Sequence, residues 1–204
     1  GRLLVGATTA VATTGGTGAS QVLGTGNSDT VFTLGRFSDN TGNPVINFVK
    51  SRNGTIGGNT IVQDDDTLGS IVFSAADGSD FVSHAAKIDA RVDGTPGAND
   101  TPGRLSFYTT ADGSDSSVER MRIDAAGTLI LKRGTIDGFL NPTGGALEFD
   151  VNRNPETGTF DSASRSHARM IISGADGGSH VQFNTANANN TVASERMRIN
   201  KDGD

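Results

Sequence analysis

Along Glu119-Arg120-Met121-Arg122-Ile123-Asp124 apolar residues alternate with charged ones. A β-strand sends successive side chains to opposite faces. Met121 and Ile123 then point one way, and Arg120 and Arg122 the other. A helix would instead set its apolar residues three or four apart. A short polar turn ending at Gly127 follows, then Thr128–Leu131. This order predicts a hairpin whose glycine takes the positive-φ position. Glu195-Arg196-Met197-Arg198-Ile199-Asn200 repeats the design, with Gly203 in its turn. The opening Gly1-Arg2-Leu3-Leu4-Val5 reads like the continuation of a third such turn. Gly1, Gly127 and Gly203 therefore read as equivalent positions at unequal spacings. The pattern is that of modules of different length, closed by one shared hairpin and cut from a longer chain.

The same reading extends to the rest of the sequence. Residues 6–30, rich in Gly, Thr, Ala and Ser, predict a connector with a short strand at Gln21–Leu23. Further strands are expected at Val31–Phe37 and at Pro44–Lys50, where Ile46 and Phe48 oppose Val45, Asn47 and Val49. A turn is expected at Asn53-Gly54. In "LGSIVFSAADGSDFV" Ile71 and Phe73 share a face. Ile88, Ala90 and Val92 alternate with Lys87, Asp89 and Arg91, which predicts one buried and one wet face. Asp93–Gly103 is a succession of turn residues, after which Leu105 and Phe107 point inward. The later module holds Leu147, Phe149 and Val151 in phase, then "ARMIISGADGG" and "HVQFNT". Helix is limited to one turn at most, at Ser83–Ile88. Many short strands with Gly/Asn/Asp turns make the fold all-β. Its units are 1–33 (the end of a preceding hairpin plus connector), 34–134 (a long β module) and 135–204 (a shorter one).

Composition sharpens this picture. The hydrophobic fraction is 34%, and glycine alone supplies 28 residues of 204, with one Tyr and no Trp. A self-sufficient core is poorly provided for, and exposed strand edges would be sticky. A closed assembly of identical chains solves both problems. The net charge of −6 comes with no basic stripe, which argues against nucleic acid and anionic membranes as partners. Cysteine is absent, so disulfides and thiolate metal sites are excluded. No apolar run approaches the ~18 residues of a membrane-inserted span.

Candidate chemistry is sparse. His84, His167 and His180 each lie beside Ser in polar surroundings. Without Cys or a G-x-S-x-G turn they read as surface or strand-end histidines. Glycan cleavage needs two nearby carboxylates. Asp77, Asp80, Asp112 and Asp115 fall in two "DGSD" turns, which Asp-Gly turn chemistry explains. Asp64-Asp65-Asp66 and the Asp93, Asn99, Asp100 group offer oxygens for calcium without the loop spacing that calcium sites use. They read as solvated turns. Arg120, Arg122, Arg196 and Arg198 read as cross-strand partners of acids such as Asp89 or Glu119. No catalytic, cofactor-binding or metal-binding residue is assigned, and the chain reads as no enzyme.

Together "LGSIVFSAADGSDFV", "AKIDARVDGTPGANDTPGRLSFYTTADG" and "ERMRIDAAG" resemble a module of bacteriophage tail fibre proteins, especially those of marine and cyanobacterial phages. Leu68–Gly127 carries the resemblance strongly and Gly145–Gly203 more weakly. Where such hairpins often continue as "GNVGIGT", Gly127 here leads into "TLILKRGT". The resemblance implies an elongated, intertwined homotrimeric fibre of short antiparallel strands and hairpins. It also implies a place in the virion, assembly in the host cytoplasm and host attachment outside the cell. The implied partners are other phage tail proteins and a host surface glycan or outer-membrane receptor. Loops on such a shaft are the expected contact points. They are Asp93–Gly103 and Asn152–Ser166, with Asp93, Thr95, Asn99, Asp100, Asn152, Arg153 and Asn154 as candidate receptor-contact residues. The alternatives are a polysaccharide-depolymerising tailspike and a bacterial surface adhesin or fibril subunit.

Overall fold

The computed structural model describes residues 3–5, 9–13, 16–18, 20–26, 28–133, 136–143, 146–152, 166–174, 179–186, 194–200 and 202–203. Every regular element among them is β. The first four strands are β1 (Leu3–Val5), β2 (Ala12–Thr13), β3 (Gly16–Thr17) and β4 (Ser20–Val22). Strands β1 and β4 pair in parallel, and β2 and β3 form a small antiparallel pair between them.

The remaining ten strands make one sheet. They are β5 (Thr67–Ser74), β6 (His84–Val92), β7 (Gly103–Thr110), β8 (Ser117–Ile123), β9 (Leu129–Arg133), β10 (Ile136–Thr143), β11 (Ala146–Val151), β12 (His167–Ser173), β13 (His180–Ala186) and β14 (Ser194–Asn200). Each pairs antiparallel only with its neighbours in sequence, so the sheet is an uninterrupted meander with β5 and β14 at its edges. At the usual spacing between strands, ten of them advance about 43 Å.

Registration gives this meander two unlike faces, because directly opposed residues in an antiparallel pair share a face. One row crosses all ten strands without a polar side chain. It begins Gly69, Ala90, Leu105, Ile123, Leu129. It continues Leu140, Phe149, Met170, Phe183, Met197. A parallel row carries Ile71, Ile88, Phe107, Met121 and Leu131 on the same face. The opposite face carries Asp89, Ser106, Arg122, Ile130, Phe139, Asp150, Arg169 and Asn184 in register.

Within one chain the two faces do not divide into buried and wet as the alternation predicts: Asp89 and Val92, on opposite faces, are both 0% exposed, while Leu131 on the apolar face is 54% exposed and Met197 50%. The cause is side-chain length. Long polar side chains fold over their own face with the apolar stem down. Lys87 and Arg91 reach Asp89 at 2.8 and 3.0 Å, and the Lys87 ammonium lies 4.3 Å from the centre of the Tyr108 ring. Among the described residues, what lies upon the apolar face is Phe48, at its Gly69 end.

The repeated hexapeptide is repeated structure. Phe107 opposes Met121 and Tyr108 opposes Glu119, so Arg120 bulges. Likewise Phe183 opposes Met197 and Asn184 opposes Glu195, so Arg196 bulges. The bulged arginines bind matching hydroxyls, with Arg120 donating to Thr109 at 3.2 Å and Arg196 to Thr185 at 2.9 Å. Bringing i and i+3 to one side, each bulge pairs Arg122 with Glu119 at 3.6 Å and Arg198 with Glu195 at 2.7 Å. Arg122 and Arg198 thus find their acid in their own strand, Glu119 being one of the expected partners, while Arg120 and Arg196 reach across to hydroxyls in place of acids. Gly127 and Gly203 both take left-handed φ, +87° and +85°, and donate to Asp124 and Asn200 at 3.0 Å. Gly1 lies outside the described residues. A Cβ at Gly127 would touch nothing, so Gly127→Ala should cost about 1 kcal/mol of conformational strain alone. Gly127→Asn should cost less, because Asn tolerates this region. Denaturant titration of the two variants measures the difference.

Three other expectations are corrected. Val31–Phe37 and Pro44–Lys50 form no strands, because no strand lies beside them to complete a ladder. The turn expected at Asn53-Gly54 sits at Thr55–Gly58, where Gly58 donates to Thr55 and Gly57 has φ +86°. Residues from His84 onward, allowed one helical turn, belong to β6.

Candidate functional site

The Asp93–Gly103 loop leaves the sheet between β6 and β7 on a stiff stem. Asp93 N–H donates to Pro102 O at 3.0 Å, and Gly97 and Asp100 exchange backbone hydrogen bonds at 2.9 and 3.2 Å. Left-handed Gly94 (φ +127°) and Asn99 (φ +61°) shape the bends. At its base Arg104, largely buried, binds Asp93 at 2.8 Å and also Asp65. The second Asp93 oxygen accepts the Ala125 N–H at 2.9 Å, and Asp64 accepts the Gly94 N–H at 2.8 Å. Asp66 grips Arg52 in a two-pronged pair, at 2.6 and 2.7 Å. Asp64 and Asp65 therefore clasp this segment to residues 93–104, while Asp66 ties it back upon itself.

The predicted contact residues divide. Thr95, Asn99 and Asp100 are exposed at the loop tip, whereas Asp93 is half-buried in the clasp. Asn152 is fully buried, which corrects its expected place on a contact loop. It sits left-handed (φ +64°), its N–H donates to Asp137 O at 3.0 Å, and its side-chain amide donates to Ser166 O at 3.3 Å. Arg153 and Asn154 lie outside the described residues, as does most of the Asn152–Ser166 loop.

Electrostatics at the base follow from these bonds. The Arg104 hydrogen bond holds the Asp65 carboxyl below its usual range, and Arg52 with the Gln63 N–H does the same for Asp66. Burial pushes Asp93 up, but the Ala125 N–H and Arg104 outweigh it, and the result is again a lowered carboxyl. Burial likewise raises Asp89, and Lys87, Ser70 and Arg91 reverse it. Groups with folded values below unfolded ones stabilise at neutral pH and lose that contribution as protons bind. The melting temperature should stay level from pH 7 to about 5. It should then fall as pH drops below about 4, the ordinary carboxyl value, towards the lowered folded ones. A pH series by calorimetry measures it.

The candidate chemical groups have structural partners. His167, expected at the surface or at a strand end, opens β12 and is buried, with its Nε2 2.9 Å from the Asp150 carboxylate, also buried. His84 and His180 are half-buried. Asp77 accepts the Ser79 and Asp80 N–H groups at 2.8 and 3.0 Å, closing the first "DGSD" turn around Gly78 (φ +97°). Among the described residues no three His, Asp or Glu side chains gather as a metal site would require. A hollow of about 600 Å³ is ringed by the 49–62 loop and Thr101, and Lys50 is its one ionisable side chain. A second hollow of about 300 Å³ lies on the apolar face between Phe48, Ile71, Ile88, Ala90 and Leu105. The dominant feature is thus not a cleft but the ten-strand apolar face, with a clasped polar loop at one side.

No protein-family model matches the chain, and no curated protein matches it. Two of the solved structures it is similar to are tail fibre domains. One is the carboxy-terminal domain of the bacteriophage T5 L-shaped tail fibre with its intramolecular chaperone domain: 14% identity, TM-score 0.44, covering 85% of this chain and 61% of that one. The other is the carboxy-terminal domain of the same fibre: 14% identity, TM-score 0.45, covering 85% of this chain and 89% of that one. The chain thus spans less than two thirds of the first.

Residue patterns alone did not reveal the site's main parts. Arg104 follows the loop directly, and the three aspartates stand just before β5, but only the β5–β6 and β6–β7 registers together bring them side by side. His167 and Asp150 meet because β12 folds back on β11.

Proposed function

We propose that this chain is a structural segment of a bacteriophage tail fibre. Three copies stand around a common axis with their apolar faces turned inward, and the fibre contributes to host-cell attachment. The observation that carries this reading is the unbroken apolar face on a single-layer sheet. A compact monomer of 21.0 kDa would expose about 9,000 Å². This chain exposes 13609 Å². The excess of roughly 4,500 Å² is of the size buried by permanent subunit contacts.

Three rather than two is the number that suits the shape. Two flat sheets face to face leave their apolar layer open along both flanks, where the strands end. Three sheets around an axis form a closed prism whose length grows with every added strand, which is what a shaft requires. The resemblance of Leu68–Gly127 to tail fibre modules supports the same reading. The polar outer face, knitted by Lys87, Asp89, Arg91, Glu148 and Arg169, gives such a shaft its water-facing surface.

Attachment falls to loops. Thr95, Asn99 and Asp100 stand out on a stem that costs little to order on binding, and three copies bind a repetitive host surface with the gain of multivalency. Antibodies against the chain test the assignment. They should decorate the tail fibres of virions that carry this sequence and slow adsorption to host cells. Decoration of a bacterial surface with virions left bare would overturn it.

A further inference from the structure

Among the described residues, the hydrogen bonds of 31–47 stay within the segment itself, as from Arg36 to Ser38 and Asn40. From 31 to 50 every residue is exposed, and none makes a backbone–backbone hydrogen bond among the described residues. A polar linker would be at ease there, but this stretch carries Val31, Phe32, Leu34, Phe37, Val45 and Ile46. Phe37 is 99% exposed. Its ring lies beside the backbone of Gly35, from which a Cβ would be 3.4 Å away.

The segment is nonetheless tethered at one end. Phe48 sits directly on Gly69, so close that a Cβ there would lie 2.7 Å away, and the Arg52–Asp66 pair secures the residues that follow. Phe48 thus fills one rim of the 300 Å³ hollow and leaves the rest empty, with Gly69, Ile71, Ile88, Ala90 and Leu105 around it. The chain towards residue 31 then runs off its own sheet.

We propose that residues 31–47 form an exchanged arm, whose Phe32–Phe37 part docks on the apolar face of a second copy of this chain, in the hollow beside that copy's Phe48. The proposal rests on the trimeric reading above. Rotational symmetry places all three hollows at one level of the axis. From Phe48 to Phe37 the arm reaches about 36 Å if extended. A seven-residue strand, which sets the width of one prism side, spans about 23 Å. The neighbour's hollow is within reach. Both surfaces are apolar, and each is otherwise left to water, which disfavours exposing them. Exchange also explains why ladder-forming sequence at Pro44–Lys50 lacks a ladder within its own chain.

Photocrosslinking tests it. Phe37 is replaced by its benzophenone analogue in the otherwise unaltered chain, and Phe32 likewise in a second sample. After irradiation, products are separated under denaturing conditions and their linked peptides are sequenced. Light scattering before irradiation reports the number of chains. The expected product is two or three chains in mass, joined between the 31–37 peptide and β5, β6 or β7. Joining within one chain, joining to another surface, or no product at both positions from a trimeric sample would overturn the exchange while leaving the trimer standing. A single-chain mass before irradiation would overturn both.

Discussion

Leu131→Asp is expected to abolish assembly while leaving the single chain able to form its sheet. Leu131 is half in water within one chain, so a carboxylate there costs an isolated subunit little. In the inward-facing arrangement the same side chain stands among Met121 and the equivalent rows of two other copies. Three carboxylates would then lie without partners in an apolar interior. An unpaired polar group costs several kcal/mol when buried, and a charge more. The expected outcome is loss of the oligomer at micromolar concentration, with strand content by circular dichroism largely kept. Leu131→Met should assemble like the parent, because the swap nearly conserves volume. A Leu131→Asp chain with unchanged mass and melting temperature would mean that this face meets water in the native protein.

Arg104→Met should produce the second-largest effect, and one of a different kind. The guanidinium is largely buried and holds Asp93 on one side and Asp65 on the other. Removing it leaves the half-buried Asp93 carboxylate with the Ala125 N–H as its partner. Breaking a buried pair on one side costs about 3–5 kcal/mol, and partial exposure brings the expectation to about 2–3. For a chain of this size the melting temperature should fall by about 5–10 °C. Arg104→Lys should recover only part of it, since an ammonium cannot make the same forked contact. As pH falls from the ordinary carboxyl range through the lowered folded values of Asp93 and Asp65, parent and variant should draw closer together. Amide exchange should quicken in 93–103 and 60–66, the two segments that the arginine joins, while the centre of the sheet keeps its protection.

The sequence makes some of this legible for a definite reason. Period-two alternation states which side chains share a face, so the pairing of Met121 with Ile123, and of Leu147 with Phe149, can be read from the order of residues alone. The glycine turn is readable too, because few residues accept its left-handed φ. Alternation does not say which face is covered. Asp89 is buried and Leu131 is not, because Lys87 and Arg91 can fold over their own face while leucine has nothing to reach with. Nor does alternation say whether a ladder partner exists, which is why Pro44–Lys50 reads as a strand and is none. Partnerships distant in sequence, such as Arg104 with Asp65 or His167 with Asp150, depend on register. Register at the two hexapeptides depends in turn on the bulges at Arg120 and Arg196, for which the duplicated letters are the one written sign.

All of these expectations meet in how many chains share one apolar interior. The most direct measurement is the mass of the purified chain in solution by light scattering at neutral pH. The inward-facing prism requires about three times 21.0 kDa. A single chain's mass, with the sheet shown intact by circular dichroism, would contradict it.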